Sequence, residues 1–377
     1  MTPPDPRRAA ARPDSATFAA TPPPARIHGG PDALGPLPHD FSTNANACGP
    51  CPAALAALRR ADFTRYPDPA GTASRAALAA LHGVAAERIV IAASASEFIQ
   101  RLSGLVARRR GAAWWPRHAY GDYAHAARAH GLARANRPAE AALAWVCEPS
   151  SPLGQPEPEL AALAASAGPA RIDMLDRAYA PLRLDGLQGL AAAALPGAWQ
   201  LWSPNKALGL TGVRAAYAIA PPGADALVAE LDALAPSWPL GADGVAMLAA
   251  WATPAAQAWL AASRVTLAAW KARQQALCAD LGWSLLPSLA NFFCAVPDRP
   301  ADAAALRAAG IRVRDTASFG LPGALRLGVL APASQDALAV AWRRMGHAVL
   351  APARRAQGDL PAGELSSPAP DLTPGTP

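Results

Sequence analysis

From about residue 88 to residue 219 the chain alternates short apolar runs with stretches of helical period. That alternation limits the possible folds more than any other feature. Six runs stand out: Arg88–Ala92, Ala112–Trp115, Leu143–Cys147, Arg171–Leu175, Trp199–Trp202 and Ala216–Ile219. Each is nearly continuous in apolar side chains, which predicts strands buried on both faces of a mostly parallel sheet. Helical stretches over 73–82, 97–108 and 156–167 fall between them, as an α/β fold requires. A long helical region near 243–280 follows. Three more strand candidates, Asn291–Val296, Ile311–Arg314 and Ala324–Val329, then precede a helix over 334–348. This second group reads as a smaller α/β domain. Residues 1–25 and 355–377 are rich in Pro with Arg and Ala, or with Gly and Ser, and are expected to be a disordered arm and a disordered tail.

Bulk properties narrow the partners. At 377 residues, 52% hydrophobic and 16% charged, the chain has the composition of a globular protein with room for two cores. Part of its formal charge of +6 lies in Arg7, Arg8, Arg12, Arg354 and Arg355. No basic helix carries interleaved aromatics, so no nucleic-acid partner is expected, and the modest positive balance suits an anionic small substrate. No apolar run reaches the ~18 residues of a membrane span. The first residues lack the apolar segment of a secretory signal, which makes the cytoplasm the default expectation. Among the five cysteines, Cys48-Gly49-Pro50-Cys51 has redox spacing. It follows a polar loop, Asp40–Asn46, and not a buried strand, so a redox role is not expected. No second Cys/His pair completes a zinc site, so no metal is expected.

The chemistry-bearing residues cluster where such sheets bind ligands, beyond the C-terminal strand ends. Ser94–Glu97, Ser150-Ser151, Asp176–Tyr179 and Ser203–Lys206 each follow a predicted strand. Only two lysines occur, Lys206 and Lys271, against 34 Lys and Arg together. Arginine serves a surface as well as lysine does, but it cannot lose a proton near neutral pH and bond to an aldehyde. Lys206, in a Gly-punctuated loop eight residues before Arg214, is therefore a candidate covalent residue. Scarce residues follow the same pattern. Asn44, Asn46, Asn205 and Asn291 are all but one of the asparagines, and Tyr66, Tyr120 and Tyr179 are three of five tyrosines.

Taken in order, Arg65-Tyr66-Pro67-Asp68, Ala95-Ser96-Glu97, Pro149–Gly154, Asp176-Arg177-Ala178-Tyr179, Ser203-Pro204-Asn205-Lys206 and Gly212-Val213-Arg214 resemble the fold-type I pyridoxal-phosphate (PLP) enzymes of the histidinol-phosphate aminotransferase type. The resemblance covers roughly residues 26–350. It implies a large domain (51–240) with a mostly parallel seven-stranded sheet and a small C-terminal domain (241–354). It also implies that Lys206 bonds the cofactor's aldehyde and then moves a proton, while Asp176 keeps the pyridine nitrogen protonated. Tyr179 and Ser151 would reach the phenolic oxygen, and Tyr120 would stack on the ring. Ala95, Ser96, Ser203 and Arg214 would hold the phosphate. Tyr66 would reach the phosphate from a neighbouring subunit, which implies a homodimer with shared sites.

The segment 26–50 narrows the branch. Ile27-His28-Gly29-Gly30, Asp40–Asn46 and Gly49, with Pro236–Leu240 further on, are similar to the threonine-phosphate decarboxylases of cobalamin biosynthesis. By that resemblance His28, Gly29 and Asn44 line the substrate end, and Arg314 and Arg326 grip its anionic groups. The implied reaction is decarboxylation of L-threonine O-3-phosphate to (R)-1-aminopropan-2-yl phosphate. An aminotransferase acting on histidinol phosphate or a related amino acid is the alternative, and a degenerate binding module is a third. Four positions depart from the family pattern. Ser151 stands for an asparagine, Arg177 for a glutamate and Cys48 for a proline. Ser94 stands for a glycine, where a positive φ would strain a serine.

Overall fold

The computed structural model describes residues 28–165, 168, 171–186 and 197–350. The expected N-terminal arm (1–25) and C-terminal tail (355–377) lie outside the described residues. The strands are β1 (His39–Asp40), β2 (Ile89–Ala92), β3 (Ala112–Trp114), β4 (Ala133–Arg134), β5 (Leu143–Cys147), β6 (Ile172–Asp176), β7 (Trp199–Trp202), β8 (Ala216–Ile219), β9 (Ser284–Leu285), β10 (Phe292–Val296), β11 (Ile311–Arg312), β12 (Arg314–Asp315) and β13 (Leu325–Gly328). The helices are α1 (Pro52–Arg59), α2 (Thr72–His82), α3 (Ala95–Arg108), α4 (Gly121–Ala129), α5 (Leu160–Ala165), α6 (Pro204–Ala207), α7 (Asp225–Ala233), α8 (Ala242–Trp251), α9 (Pro254–Asp280), α10 (Ala303–Ala308) and α11 (Pro332–Leu350).

A seven-stranded sheet in the order β2-β8-β7-β6-β5-β3-β4 forms the centre. Only β8 runs antiparallel to its neighbours. All six predicted runs are in it, and β2, β5 and β8 are buried along their whole length. The seventh strand, β4, is two exposed residues at the sheet edge, too short to leave a pattern. The small sheet is antiparallel, in the order β12-β13-β10-β9. The single strand expected over Ile311–Arg314 is divided, because β11 pairs with β1 while β12 pairs with β13.

Proline accounts for the other differences from expectation. The helical region 243–280 is two helices, α8 and α9, bent by 73°. Pro254 starts α9, where its missing N–H costs nothing, and Thr253 caps it by accepting from the Ala256 N–H. The helix expected over 156–167 is narrower: α5 begins only after Pro156 and Pro158, at Leu160. Among the described residues no single helix is long and apolar enough to cross a membrane.

Helix α3 shows how the site is built from local rules. Its apolar face, Phe98, Ile99, Leu102, Leu105 and Val106, is buried. Ser94 caps it by accepting from the Glu97 N–H at 3.0 Å, and Glu97 reaches back to the Ala93 N–H at 3.1 Å, a reciprocal arrangement close to a capping box. Ser94 has φ −169°, an extended backbone that any residue adopts. The strain expected where the family has glycine is therefore absent.

The segment before α1 is fastened to the loop that carries Lys206. The Asn46 N–H donates to the Lys206 carbonyl at 2.9 Å. The Asn46 side chain donates to the Ala207 carbonyl and Ser263 Oγ and accepts from the Cys48 N–H. Gly209 has φ +68°, and a Cβ there would stand 2.9 Å from the Gly49 Cα, so the two loops touch backbone to backbone. Asn46→Ala leaves a buried carbonyl and N–H without partners. It is expected to destabilise the protein by about 2–3 kcal/mol, read as a lower denaturation midpoint in urea with an unchanged slope.

Candidate active site

The C-terminal ends of β2, β5, β6 and β7, with the start of antiparallel β8, converge on one cavity. Its lining includes Ser94, Ala95, Ser96, Tyr120, Cys147, Ser151, Asp176, Tyr179, Ser203, Asn205, Lys206 and Arg214. Every residue that the sequence assigned to the cofactor is on that wall except Tyr66. Tyr66 is 78% exposed and stacks on Trp238 with ring centroids 4.4 Å apart.

Lys206 lies in the single turn α6, begun by Pro204. Burial pushes its amine below the ordinary lysine range, and Arg214 and Arg326 push the same way, while Asp176 and Cys147 oppose them. Its Nζ is 5.7 Å from the centre of the Tyr179 ring. Asp176, at the end of β6, is 3% exposed. One carboxylate oxygen accepts from the Ala178 N–H at 2.9 Å and the other from the Tyr123 hydroxyl at 2.7 Å. Burial raises its pKa, and the Tyr123 hydrogen bond and Lys206 oppose that rise. The lysine and the carboxylate thus hold each other's charge in a place that disfavours both.

Tyr179 accepts from Asn44 Nδ2 at 3.2 Å and meets Phe292 edge-on. Burial raises its phenol, against Arg326 and the Asn44 hydrogen bond. Ser151 and Ser203 are buried, and the hydroxyl oxygen of each has no hydrogen-bond partner. Buried hydroxyls are normally satisfied, so two orphans on one wall mark where a ligand's polar groups belong. At the rim, Arg214 is exposed and lines the same space. The orphaned hydroxyls, the guanidinium, the Ala95 and Ser96 N–H groups at the start of α3 and the amine fit a phosphate-bearing aromatic aldehyde. The donor set is that of an anion cup beside a nucleophile.

None of the residues expected at the substrate end is on the cavity wall itself, but Asn44 bonds to Tyr179 on that wall and Arg326 is near enough to act on Lys206 and Tyr179. Arg314 and Arg326 are register partners on β12 and β13, 4% and 7% exposed. Burial lowers the Arg314 pKa and Arg326 adds to it. Arg326 donates to the Ser42 carbonyl at 3.1 Å, while its Nε has no hydrogen-bond partner. Asn44 is buried against Tyr179. Gly29 is pressed on Ser42, and a Cβ at residue 29 would stand 2.0 Å from the Ser42 carbonyl oxygen. His28 has a half-exposed side chain, with Nε2 3.8 Å from Asp122.

Three things were not anticipated from sequence. Tyr123 holds Asp176, Asp122 accepts from the Ser96 and Tyr120 hydroxyls, and Arg177, in the family's glutamate position, is buried over the Trp202 ring at 5.2 Å. The scarcity of tyrosine offered a signal for the first, since Tyr123 is one of only five. Cys48 and Cys51 are free thiols, and burial raises the Cys48 pKa, which works against a reactive thiolate.

The aminotransferase class I and II family description matches residues 39–345. The chain belongs to that family, and its architecture is the fold-type I one. Among characterised relatives it is 30% identical to histidinol-phosphate aminotransferase 1 of Thiobacillus denitrificans over 323 residues, 77% of this chain and 80% of that protein. It is 29% identical to histidinol-phosphate aminotransferase 2 of Burkholderia mallei, over 82% of this chain and 92% of that one. Among solved structures it resembles the histidinol-phosphate aminotransferase of Sinorhizobium meliloti in complex with pyridoxal-5'-phosphate (TM-score 0.68, 24% identity, 81% and 90% of the two chains). It also resembles the L-threonine-O-3-phosphate decarboxylase of Porphyromonas gingivalis (TM-score 0.67, 19% identity, 81% and 99%). At these identities the two structures bear on the fold alone.

The depressed Lys206 amine has a direct test, since only two lysines compete for reagent. Reductive methylation with formaldehyde, followed by peptide mass spectrometry against pH, should give residue 206 a midpoint below the ordinary lysine value of 10.5. Because Asp176 is the larger of the two influences that oppose the depression, Asp176→Asn should move the midpoint further down. An upward movement contradicts the electrostatic account.

Proposed function

We propose that this chain is a PLP-dependent enzyme that removes CO2 from L-threonine O-3-phosphate, leaving (R)-1-aminopropan-2-yl phosphate, a step of cobalamin biosynthesis. The observation that carries the reading is the pair Arg314 and Arg326, two buried guanidinium groups in register on adjacent strands. Like charges packed together in low dielectric favour an added anion, and Arg326 Nε has no hydrogen-bond partner to take up its donor capacity. A substrate with both a carboxylate and a phosphate supplies two, whereas histidinol phosphate carries only the phosphate. In this reading segment 26–50 contacts the substrate through His28, Gly29 and Asn44, residues 51–240 hold the cofactor, and residues 241–354 form the small domain.

The cofactor supplies an electron sink for the pair left when a bond at Cα breaks. The chain's own residues do the rest. Lys206 provides the amine that anchors the aldehyde carbon and afterwards carries the proton that replaces CO2 on Cα. Asp176, steadied by Tyr123, holds a proton on the ring nitrogen. Tyr179 with Asn44, and the Ser151 hydroxyl, serve the phenolic oxygen. Arg214 and Ser203 grip the phosphate. Arg314 and Arg326 orient the substrate, which decides whether the carboxylate or the α-hydrogen stands perpendicular to the ring.

The names of the characterised relatives favour a second reading, amino transfer from histidinol phosphate or a similar amine. The two separate cleanly. Decarboxylation predicts CO2 release from threonine phosphate with no 2-oxoglutarate present, and amino transfer predicts turnover only with an acceptor. Strict dependence on 2-oxoglutarate overturns the decarboxylase reading. Arg326→Ala is expected to raise KM for threonine phosphate by about tenfold or more, the cost of a charge-assisted bond, while PLP affinity stays nearly unchanged. Equal loss of both removes Arg326 from the substrate.

The enzyme is further proposed to act as a homodimer with Tyr66 reaching the partner's site. Exposed Phe63, Tyr66 and Trp238 support this, at 70%, 78% and 46%, because large exposed aromatics mark contact surfaces. In a heterodimer of a Lys206→Ala chain and a Tyr66→Phe chain, a site shared across the interface collects both mutations on one side and leaves the other site intact. If Tyr66 served its own subunit, both sites would be singly damaged. The shared-site arrangement therefore predicts heterodimers with roughly half the wild-type activity, one intact site of two; heterodimers no more active than the Tyr66→Phe homodimer discard it.

A further inference from the structure

Asp122 has no place in the reading above, yet its carboxylate is set against the wall where the cofactor's phosphate is to be held. It lies in the first turn of α4 and is 6% exposed. Its Oδ2 accepts from Ser96 Oγ at 2.5 Å and from the Tyr120 hydroxyl at 2.8 Å. Its Oδ1 is 3.8 Å from His28 Nε2. Ser96 and Tyr120 both line the cavity. A hydroxyl carries one proton, and both protons are engaged by Asp122. The two hydroxyl oxygens stand 3.3 Å apart, and with both protons on Asp122 each is left with lone pairs only. Lone pairs do not donate to a phosphate oxygen. Elsewhere on the same wall the Ser203 hydroxyl is buried without a partner, and Arg214 brings up to five N–H donors to the rim. The Ala95 and Ser96 N–H groups lie in the first turn of α3, where no intrahelical acceptor is available.

Resting on the PLP reading, we propose that Asp122 is a positioning residue that withdraws the Ser96 side chain from the phosphate's donors. Holding the protons of Ser96 and Tyr120 leaves the phosphate to Ser203, Arg214 and the backbone N–H groups. The same carboxylate opposes the phosphate with a like charge, so it moderates how tightly the cofactor is held. Ser96 thereby contributes its backbone N–H and not its hydroxyl. A purely structural Asp122, complementing the dipole of α4, makes a different prediction: its loss would lower stability without improving cofactor affinity.

The test is titration of the apoprotein with PLP, followed by tryptophan fluorescence at one fixed pH, for wild type, Ser96→Ala, Ser203→Ala, Asp122→Asn and the double variant Asp122→Asn with Ser96→Ala. Ser203→Ala should raise Kd by about tenfold or more, and Ser96→Ala by less than about threefold. Asp122→Asn should lower Kd by about threefold or more, and that gain should shrink when Ser96 is also removed, because the freed hydroxyl supplies part of it. Ser96→Ala weakening PLP as much as Ser203→Ala overturns the proposal, and so does looser binding by Asp122→Asn. The Ser96 and Ser203 comparison leaves Asp122 intact, so it stands even if Asp122→Asn melts early. Failure of the wild type to bind PLP at all sinks the cofactor reading and this proposal together, whereas binding with the reversed pattern sinks the proposal alone.

Discussion

Two opposite charges that the dry interior would not keep singly are held near one another at the C-terminal ends of the central strands. Lys206 and Asp176 are each driven toward neutrality by burial, and each is among the groups that keep the other charged. The sheet makes this pairing possible. β6 and β7 are parallel neighbours, so the residues that follow them emerge at the same edge without any special loop. The Tyr123 hydroxyl and the Ala178 N–H then fix the carboxylate, and the backbone of Asn46 fixes the lysine's turn. Burial, aided by Arg214 and Arg326 and only partly offset by Asp176, is what makes the amine unlike an ordinary surface lysine.

Around that pair the cavity wall is divided by chemistry. One side offers hydroxyls with free capacity, Ser151 and Ser203. Another offers hydroxyls already committed to Asp122. Arg314 and Arg326 bring positive charge into a place where aromatic rings provide the packing, Phe292 and Phe319 lying under the Arg326 guanidinium at 5.7 and 5.6 Å. Such contacts favour a cation without neutralising it.

Much of this was legible from residues alone, and the boundary has physical causes. Strands such as Ile89–Ala92 and Leu143–Cys147 announce themselves because burial on both faces demands unbroken apolar runs. Two-residue strands such as Ala133–Arg134 carry no period to detect. That Lys206, Asp176 and Ser203 meet at one cavity was readable from their places just after predicted strands, whereas the roles expected of Asp176 and Ser203 came from the family resemblance. Tyr123 and Asp122 were not readable, because what they do depends on which side chains a distant element delivers. Ser94 misled for a similar reason: a residue type suggests a backbone angle, but the capping bond to Glu97 decides it. Pro254 was visible throughout, and only the assumption of one continuous helix hid the corner it makes.

The divided strand at Val313 has a mechanical consequence. On one side of that residue the chain is laddered to His39–Asp40, on the other to the strand bearing Arg326. Segments about 270 residues apart in sequence are thereby joined through the one residue, Val313, between the two ladders. The backbone that presents Arg314 is thus anchored to the segment leading into Ser42 and Asn44 as well as to the small sheet, so the guanidinium's position is set from both ends of the fold.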